Sequence, residues 1–568
     1  MDHKRNLLLL ALAVVSYFML LAWNKDYPAE VPAPVAQNSQ AETLNASDLP
    51  GNASANDVPS DVPSAQTPSA AQVAAQATAA SSLITVLTPL QEVVIDLAGG
   101  DIVAVRLPTF PTSIDTPDDP FRLLRNDASM VFVAQSGLVG ANGPDANPAG
   151  RPHFSSEQTR YSITDGELSV DLYATIDGIN ITKRYHFRAN DFLIGLDYRI
   201  DNRSAAPLNL NLYAQFKRDS SPDPSSTASF RRTFLGATMT SPDNPYIKAT
   251  FADIDKDATR DTKDKHFKPI AMMGGWIGFS QHYFFSGWIP ANDQENTFSV
   301  RKNNIGEYLI GFVGPTQNIA PGQSATLSTA LWVGPKDQER LAAIAPKLGQ
   351  IIDYGKLWFV AYPVFWLLSH IYKVVGNFGV AIIALTVVIR LLFLPLSAKQ
   401  YDSQAKMKKL QPKIEQLKAR YGDDKQKFVQ AQMELWKKEK VNPFGGCLPV
   451  LLQMPVFLGI YWVLNESVEL RQAPFILWYR DLSMMDSFFV LPLLLGGAYF
   501  LQQHMTPLPT TDPTQAKVMK WMPVLFTGFF LWFPAGLVLY YLVNALLGIL
   551  QQWYFSSKLN TPSTPKEA

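Results

Sequence analysis

From Trp521 to Ser557 the chain runs 37 residues without an Asp, Glu, Lys or Arg. As one helix at ~1.5 Å per residue it would be about 55 Å long, nearly twice the ~30 Å hydrocarbon core of a bilayer. The run therefore has to be two spans, and Pro534-Ala535-Gly536 is the natural break, because proline and glycine interrupt a helix there. A chain with such a run is committed to the membrane.

The same test finds further spans. Val374 to Ala398 is uncharged apart from Arg390, Val441 to Asn465 carries no charge, and Phe488 to Leu501 stays uncharged through His504. At the N-terminus, Lys4-Arg5 precedes an uncharged run from Asn6 to Asn24. A cleavable signal peptide and an uncleaved anchor both fit that opening, and the length of the apolar core favours the anchor. Six spans result: 1–24, 374–398, 441–465, 488–504, 518–533 and 535–555. With both termini in the cytoplasm, the loop 399–440 lies inside and carries 12 Lys/Arg against 6 Asp/Glu. The loop 466–487 lies outside, with only Arg471 and Arg480 against four acids. Both obey the positive-inside rule. The loop 505–517 and the tail 556–568 then fall inside. Leu357 to Tyr372 is shorter and studded with Trp358, Tyr362, Trp366 and Tyr372, so 346–373 is expected to be an interfacial helix on the outer surface.

Between the first two spans lies the bulk of the soluble chain. Residues 25–82 are rich in Ala, Pro, Ser, Gln and Asn, too polar to offset their ordering entropy, and predict a disordered tether. Residues 83–340 alternate apolar and polar in short runs and predict a large β-sandwich. Asp177-Gly178, between Ser169–Ile176 and Ile179–Phe187, marks a hairpin turn. Trp276, Tyr283 and Trp288 fit either a binding groove or, as is commoner, core packing. The charged stretch 252–268 reads as an exposed loop. Cys447 is the only cysteine, so no intramolecular disulfide supports this domain.

The inner loop 399–440 reads as an antiparallel helical hairpin. Met407, Leu410, Ile414, Leu417 and Tyr421 form one seam, Val429, Met433 and Trp436 the other, and Pro412 predicts a kink or a fresh helix start. Its basic face, with Lys408, Lys409 and Lys413, and the aromatic Trp436 are candidate contacts for anionic lipid, ribosome or nascent chain. Lys+Arg and Asp+Glu both total 49, so the charge balance implies no polyanionic partner and no specific nucleic-acid sequence.

Arg390 is the sharpest chemical feature. An arginine at mid-span costs roughly 2.5–3.5 kcal/mol on insertion scales and normally faces a cavity or a partner. Snorkelling towards the cytoplasm is the alternative, but Lys399, the next charge inward, is about 13 Å further along a straight helix. Thr386 lies one turn earlier on the same face. Gln453, Tyr541, Asn544 and Gln551 could complete a wet cavity, although each alone is more often an interhelical hydrogen-bonding group. No span contains a carboxylate, which leaves water or a passing acidic group to meet Arg390 and argues against a proton relay. His370 and His504 are far apart in the topology, and no metal, cofactor, phosphate-loop or nucleophile pattern appears, so an enzyme is not expected.

Four stretches carry a resemblance: AIIALTVVIRLLFLPLSAKQY (381–401), VNPFGGCLPVLLQMPVFLGIYWVL (441–464), VELRQAPFILWYRDLS (468–483) and FLWFPAGLVLYYLVN (530–544). In that order they resemble the YidC family of membrane protein insertases, of the Gram-negative type within the Oxa/Alb superfamily. The resemblance implies a polytopic α-helical membrane protein with a five-helix core, a hydrophilic groove and a large periplasmic β-sandwich domain, set in the bacterial inner membrane. It places Arg390, Thr386 and Tyr541 on the groove. Nascent membrane proteins, the Sec translocon and ribosomes are the partners it implies. The short tail, with only Lys558 and Lys566 against Glu567, departs from relatives with long basic tails. Two other readings stand beside it: a small-anion transporter or channel using Arg390, and an anchored assembly factor acting through its outer domain.

Overall fold

A two-residue hairpin turn of type I′ needs both central residues at positive φ, and Asp-Gly supplies them cheaply. Asp177 and Gly178 sit at φ 50° and 79°, and join strands Glu167–Ile176 and Ile179–Arg188 into a ten-pair antiparallel hairpin. In this computed structural model the described residues are 83–147, 150–225, 233–244, 246–260, 266–421, 424–439, 441, 448–506 and 513–560. The expected anchor 1–24, the tether 25–82, the end of the tail and the Gly422-Asp423 break in the inner loop lie outside them.

Among the described residues between Leu83 and Pro335, the strands form an eleven-stranded and a nine-stranded sheet, nearly all of whose pairings are antiparallel. Strand Ser324–Pro335 is central to the second sheet, between Leu193–Asn202 and Phe284–Pro290. One apolar core draws on both sheets, with Val105, Phe132 and Phe216 from the first and Leu196, Phe279 and Trp288 from the second. Period-two alternation puts these side chains on inner faces, which is the physical basis of a sandwich. Trp276, Tyr283 and Trp288 are all buried, so they pack the interior and line no groove.

The charged stretch expected to be a loop begins as helix α1, Phe251–Ala258. Thr250 and Asp253 form a reciprocal capping box, and Ile254 is buried beneath it. Asp253 and Lys256 are exposed, whereas Asp257 is buried and accepts from the amides of His266 and Phe267; the run of charges masks the cap signal.

The remaining helices are α2 (Gln338–Ile344), α3 (Trp358–Val375), α4 (Phe378–Leu392), α5 (Leu394–Tyr421), α6 (Lys425–Lys438), α7 (Leu448–Glu466), α8 (Val490–Met505), α9 (Pro513–Phe530) and α10 (Ala535–Asn560). Among the described residues, α3 and the Ala535–Phe555 part of α10 are each long and apolar enough to cross a membrane. The pair α4–α5 passes the same test jointly, bent by 65°. α3 therefore fits a span by length and composition as well as the interfacial placement expected for it. The bend also corrects the straight-helix argument about Arg390. Phe393 closes α4, and Pro395, which has no N–H to donate and disfavours helix in the residue before it, opens α5 in a new direction. Lys399 consequently does not lie further along the axis that carries Arg390.

The inner hairpin forms, with two corrections. α5 runs through Pro412 without a fresh start. On α6 the packed stripe is the half-buried Phe428, Leu435 and Trp436, set with Met407 against Leu410 and Ile414, while Val429 and Met433 are exposed. Phe428 and Leu435 are one heptad apart; the expected stripe was rotated by about 100°, one residue of helix.

Candidate functional site

α4 buries Ala381, Ile382, Leu385 and Ile389 on one side and carries Arg390 in its last turn, where a helix C-terminus favours a cation. The guanidinium reaches sideways to α10. Its Nε donates to Asn544 Oδ1 at 2.7 Å, one terminal nitrogen donates to the Asn544 carbonyl at 2.7 Å, and the other to Gln551 Oε1 at 3.4 Å. All three acceptors are neutral, and among the described residues no carboxylate forms an ion pair with Arg390. Desolvation is thus offset by dipoles while the positive charge stays uncompensated.

The α10 side of the site is a helical stripe. Tyr541, Asn544, Gly548 and Gln551 step by 3, 4 and 3, which keeps them on one face. Gly548 leaves room for the approach: a Cβ there would lie 3.1 Å from an Arg390 nitrogen and 3.2 Å from Gln502 Nε2, close enough that both side chains would have to shift. Its carbonyl accepts from the Tyr401 hydroxyl at 3.1 Å, which ties the start of α5 to the same point. Gly548, Gln502 and Tyr401 were missed in the sequence. The spacing of Gly548 between Asn544 and Gln551 was the available signal.

Of the other expected groove residues, Thr386 is 1% exposed and its hydroxyl donates to the Ile382 carbonyl at 2.6 Å within its own helix. It borders the site without presenting a free donor. Tyr541 packs its ring against Phe457 of α7 and Phe530 of α9. Gln453 lies one turn before Phe457, and its Nε2 is buried with no partner among the described residues. Hydrogen bonds bring Arg390, Asn544 and Gln551 together, and among the described residues none joins Gln453 to them. On the inner hairpin, Lys408, Lys409 and Lys413 are exposed, Lys413 pairing with Glu439 at 2.5 Å, while Trp436 is part of the hairpin's packing.

Elsewhere, His370 and His504 each hydrogen-bond a carbonyl four residues earlier in their own helix. No group of three metal-ligating side chains converges among the described residues. The β domain holds a buried polar cluster in which Arg151 bridges Asp101 and Asp145. There Lys183 Nζ donates to the carbonyls of Gly99 and Ser136, and burial pushes its amine down to about 7.

Comparison with known proteins bears on the whole length. Residues 83–367 match the family described as the YidC periplasmic domain, and residues 370–562 match the 60Kd inner membrane protein family. The chain is 48% identical over 574 residues, covering all of both chains, to the membrane protein insertase YidC of Pseudomonas fluorescens SBW25. It is likewise 48% identical over 578 residues to that of Pseudomonas syringae pv. syringae B728a, again covering both chains fully. Among solved structures, an active YidC insertase crystal structure with its first transmembrane domain resolved aligns over 85% of this chain and 94% of that one. Its TM-score is 0.37 at 18% identity. A galactose mutarotase related enzyme from Lactobacillus acidophilus aligns over 44% of this chain and 97% of its own, at TM-score 0.28 and 10% identity. Structural similarity at these values carries no conclusion; the full-length sequence identity does.

Proposed function

The chain belongs to the YidC family of membrane protein insertases, non-catalytic inner-membrane proteins with a periplasmic domain, and we propose that it inserts and helps fold nascent membrane proteins through a hydrophilic groove centred on Arg390. A substrate's short hydrophilic segment enters from the cytoplasmic side, drawn by the guanidinium. Its apolar segment meanwhile passes along the spans into lipid. Shortening the apolar path lowers the desolvation barrier without a nucleotide or ion gradient.

The observation that carries this reading is the environment of Arg390. It is a cation held on an apolar helix by Asn544 and Gln551, with the Tyr401 hydroxyl beside it, and among the described residues all of these partners are neutral oxygens. With no carboxylate paired to it among the described residues, the guanidinium keeps its attraction for an acidic or polar passing group. The six-span arrangement, with α3 on the outer surface and both termini inside, belongs to the same proposal. It rests on the charge bias of the loops, which a further span at α3 would invert. The exposed lysines of the inner hairpin fit anionic lipid and an arriving ribosome, and the Sec translocon is a proposed co-worker.

Vesicles reconstituted with the purified chain, assayed for insertion of a small single-span substrate, test this. Insertion above protein-free vesicles is expected, with crosslinks from the Arg390 region to the substrate. Equal rates with and without the protein end the proposal. Arg390→Lys should retain insertion while Arg390→Ala loses about tenfold, the factor carried by one lost interaction of about 1.4 kcal/mol. Normal insertion by Arg390→Ala would show that wetness, not charge, is what matters.

A further inference from the structure

The segment that follows α7 is tied to the β domain. Arg471 and Gln472 both donate to the Pro111 carbonyl, at 2.7 and 3.0 Å. Since the matched family describes that domain as periplasmic, the loop 467–489 faces the periplasm. It is also pinned over the outer ends of three helices. Phe475 seats its ring on Gly379 of α4, where a Cβ would come within 2.0 Å of it. Asn377, the cap of α4, donates to the Phe475 carbonyl. The amides of Ala535 and Gly536, opening α10, donate to Met484 and Leu482. Asp486, buried, accepts from the Trp478 indole, the Tyr479 hydroxyl and the amides of Phe488 and Leu491 as α8 begins.

This rigid frame displays an apolar tip. Ile476, Leu477, Trp478, Met485 and Phe488 are all exposed, and Trp478 meets Phe488 edge to face at 5.4 Å. Leu477 is 80% exposed and sits at φ 56°, in a turn closed by Tyr479 N–H to the Ile476 carbonyl. That backbone region suits glycine or asparagine, so a leucine there is disfavoured both by its backbone and by its contact with water. The segment from Pro474 to Tyr479 carries no charge, while the Asp486 carboxylate is turned inward. Exposed apolar residues continue along the chain: after Ser487, Phe488 and Phe489 lead directly into α8, where Leu493 and Leu494 are exposed.

We propose that this tip is a wedge that enters the outer leaflet of the bilayer, at the level where headgroups meet acyl chains. The occupant is lipid because the tip extends the lipid-facing surface of α8 at the outer ends of α4 and α10, with an indole and aromatic rings at the depth such groups favour. The wedge rests on reading α4 and α8 as spans, but not on how Arg390 works.

The test labels single cysteines with an environment-sensitive fluorophore in the full chain carrying Cys447→Ser, reconstituted into phosphatidylethanolamine–phosphatidylglycerol vesicles. Leu477→Cys and Phe488→Cys report the tip, Leu493→Cys the span, and Ile305→Cys, at an exposed turn of the β domain, the water phase. Nitroxide-bearing lipid should quench positions 477, 488 and 493 and spare 305. Aqueous iodide should quench 305 severalfold more than 477 or 488. Iodide quenching at 477 and 488 equal to that at 305 overturns the wedge. Shielding from iodide without quenching by lipid also overturns it, since a protein surface would then cover the tip. No lipid quenching at 493 removes the span reading, and the wedge with it; lipid quenching at 493 but not at 477 and 488 removes the wedge alone.

Discussion

At the scale of single residues, two positions set charge against burial and make opposite use of it. In the proposed mechanism Arg390 acts through its charge, and its guanidinium lies close against Gly548. Gly548→Val places a branched side chain where a Cβ alone would be 3.1 Å from Arg390. The guanidinium is then displaced from Asn544, so insertion should fall about as far as in Arg390→Ala, roughly tenfold, at unchanged membrane levels of the protein. Lys183 is the contrary case, a fully buried amine whose value burial lowers from 10.5 to about 7. The folded state therefore releases this proton before the unfolded chain does. Lys183 contributes stability that is full above 10.5 and lost as pH falls through about 7. Lys183→Met should abolish a slope of up to about 1.4 kcal/mol per pH unit between those limits. Unfolding of the full chain in detergent, followed by intrinsic fluorescence across pH, measures it.

At the scale of elements, the outer loop shows how one side chain holds a piece of chain with little regular structure. Four donors converge on the buried carboxylate of Asp486. Asp486→Ala leaves them without an acceptor and should cost about 3 kcal/mol locally. The readout is faster proteolysis between Ala473 and Phe489, with the β domain unaffected. Nothing in the sequence distinguished Asp486 from the other acids of that loop, because its role depends on contacts that only the folded turn creates. Other elements were legible to the extent that their signals were local. Asp177-Gly178 dictates its own turn, and the strand alternation gave the sandwich. The bend at Phe393 was equally local, written in Pro395, but was hidden by reading the apolar run as one straight span. The α6 stripe was misread because 428/435 and 429/436 are both heptad pairs, and only the partner helix selects between them. At the site, Arg390, Asn544 and Gln551 stood out as polar groups in apolar runs. Gly548 was marked only by its spacing on the Asn544–Gln551 face, and Tyr401, a distant hydroxyl, left no mark at all.

At the scale of the whole molecule, the question is whether the β domain is carried along or mechanically joined to the helices. The contacts favour a joint. Val468, just past the end of α7, belongs to the β domain's apolar core, and His282 hydrogen-bonds the Asn465 carbonyl at 2.9 Å. The Arg471 guanidinium lies 5.7 and 5.8 Å from the ring centres of Phe121 and Phe284, themselves stacked at 4.5 Å, while it donates to Pro111. A cation over two rings that also satisfies a carbonyl fixes direction as well as distance. The end of α7 that meets the β domain is therefore held by a domain of about 250 residues, and in the proposed mechanism the same joint would brace the groove on that side. Arg471→Met keeps the apolar stem and removes both the cation and the donor. Amide exchange at Thr112 and across 467–472 should accelerate about tenfold for each 1.4 kcal/mol lost, while exchange within the central strands stays unchanged. If insertion falls in step with that local opening, the β domain acts as the brace of the outer seal. If the joint opens and insertion continues unaltered, the seal is made by the helices and the loop 473–489 alone.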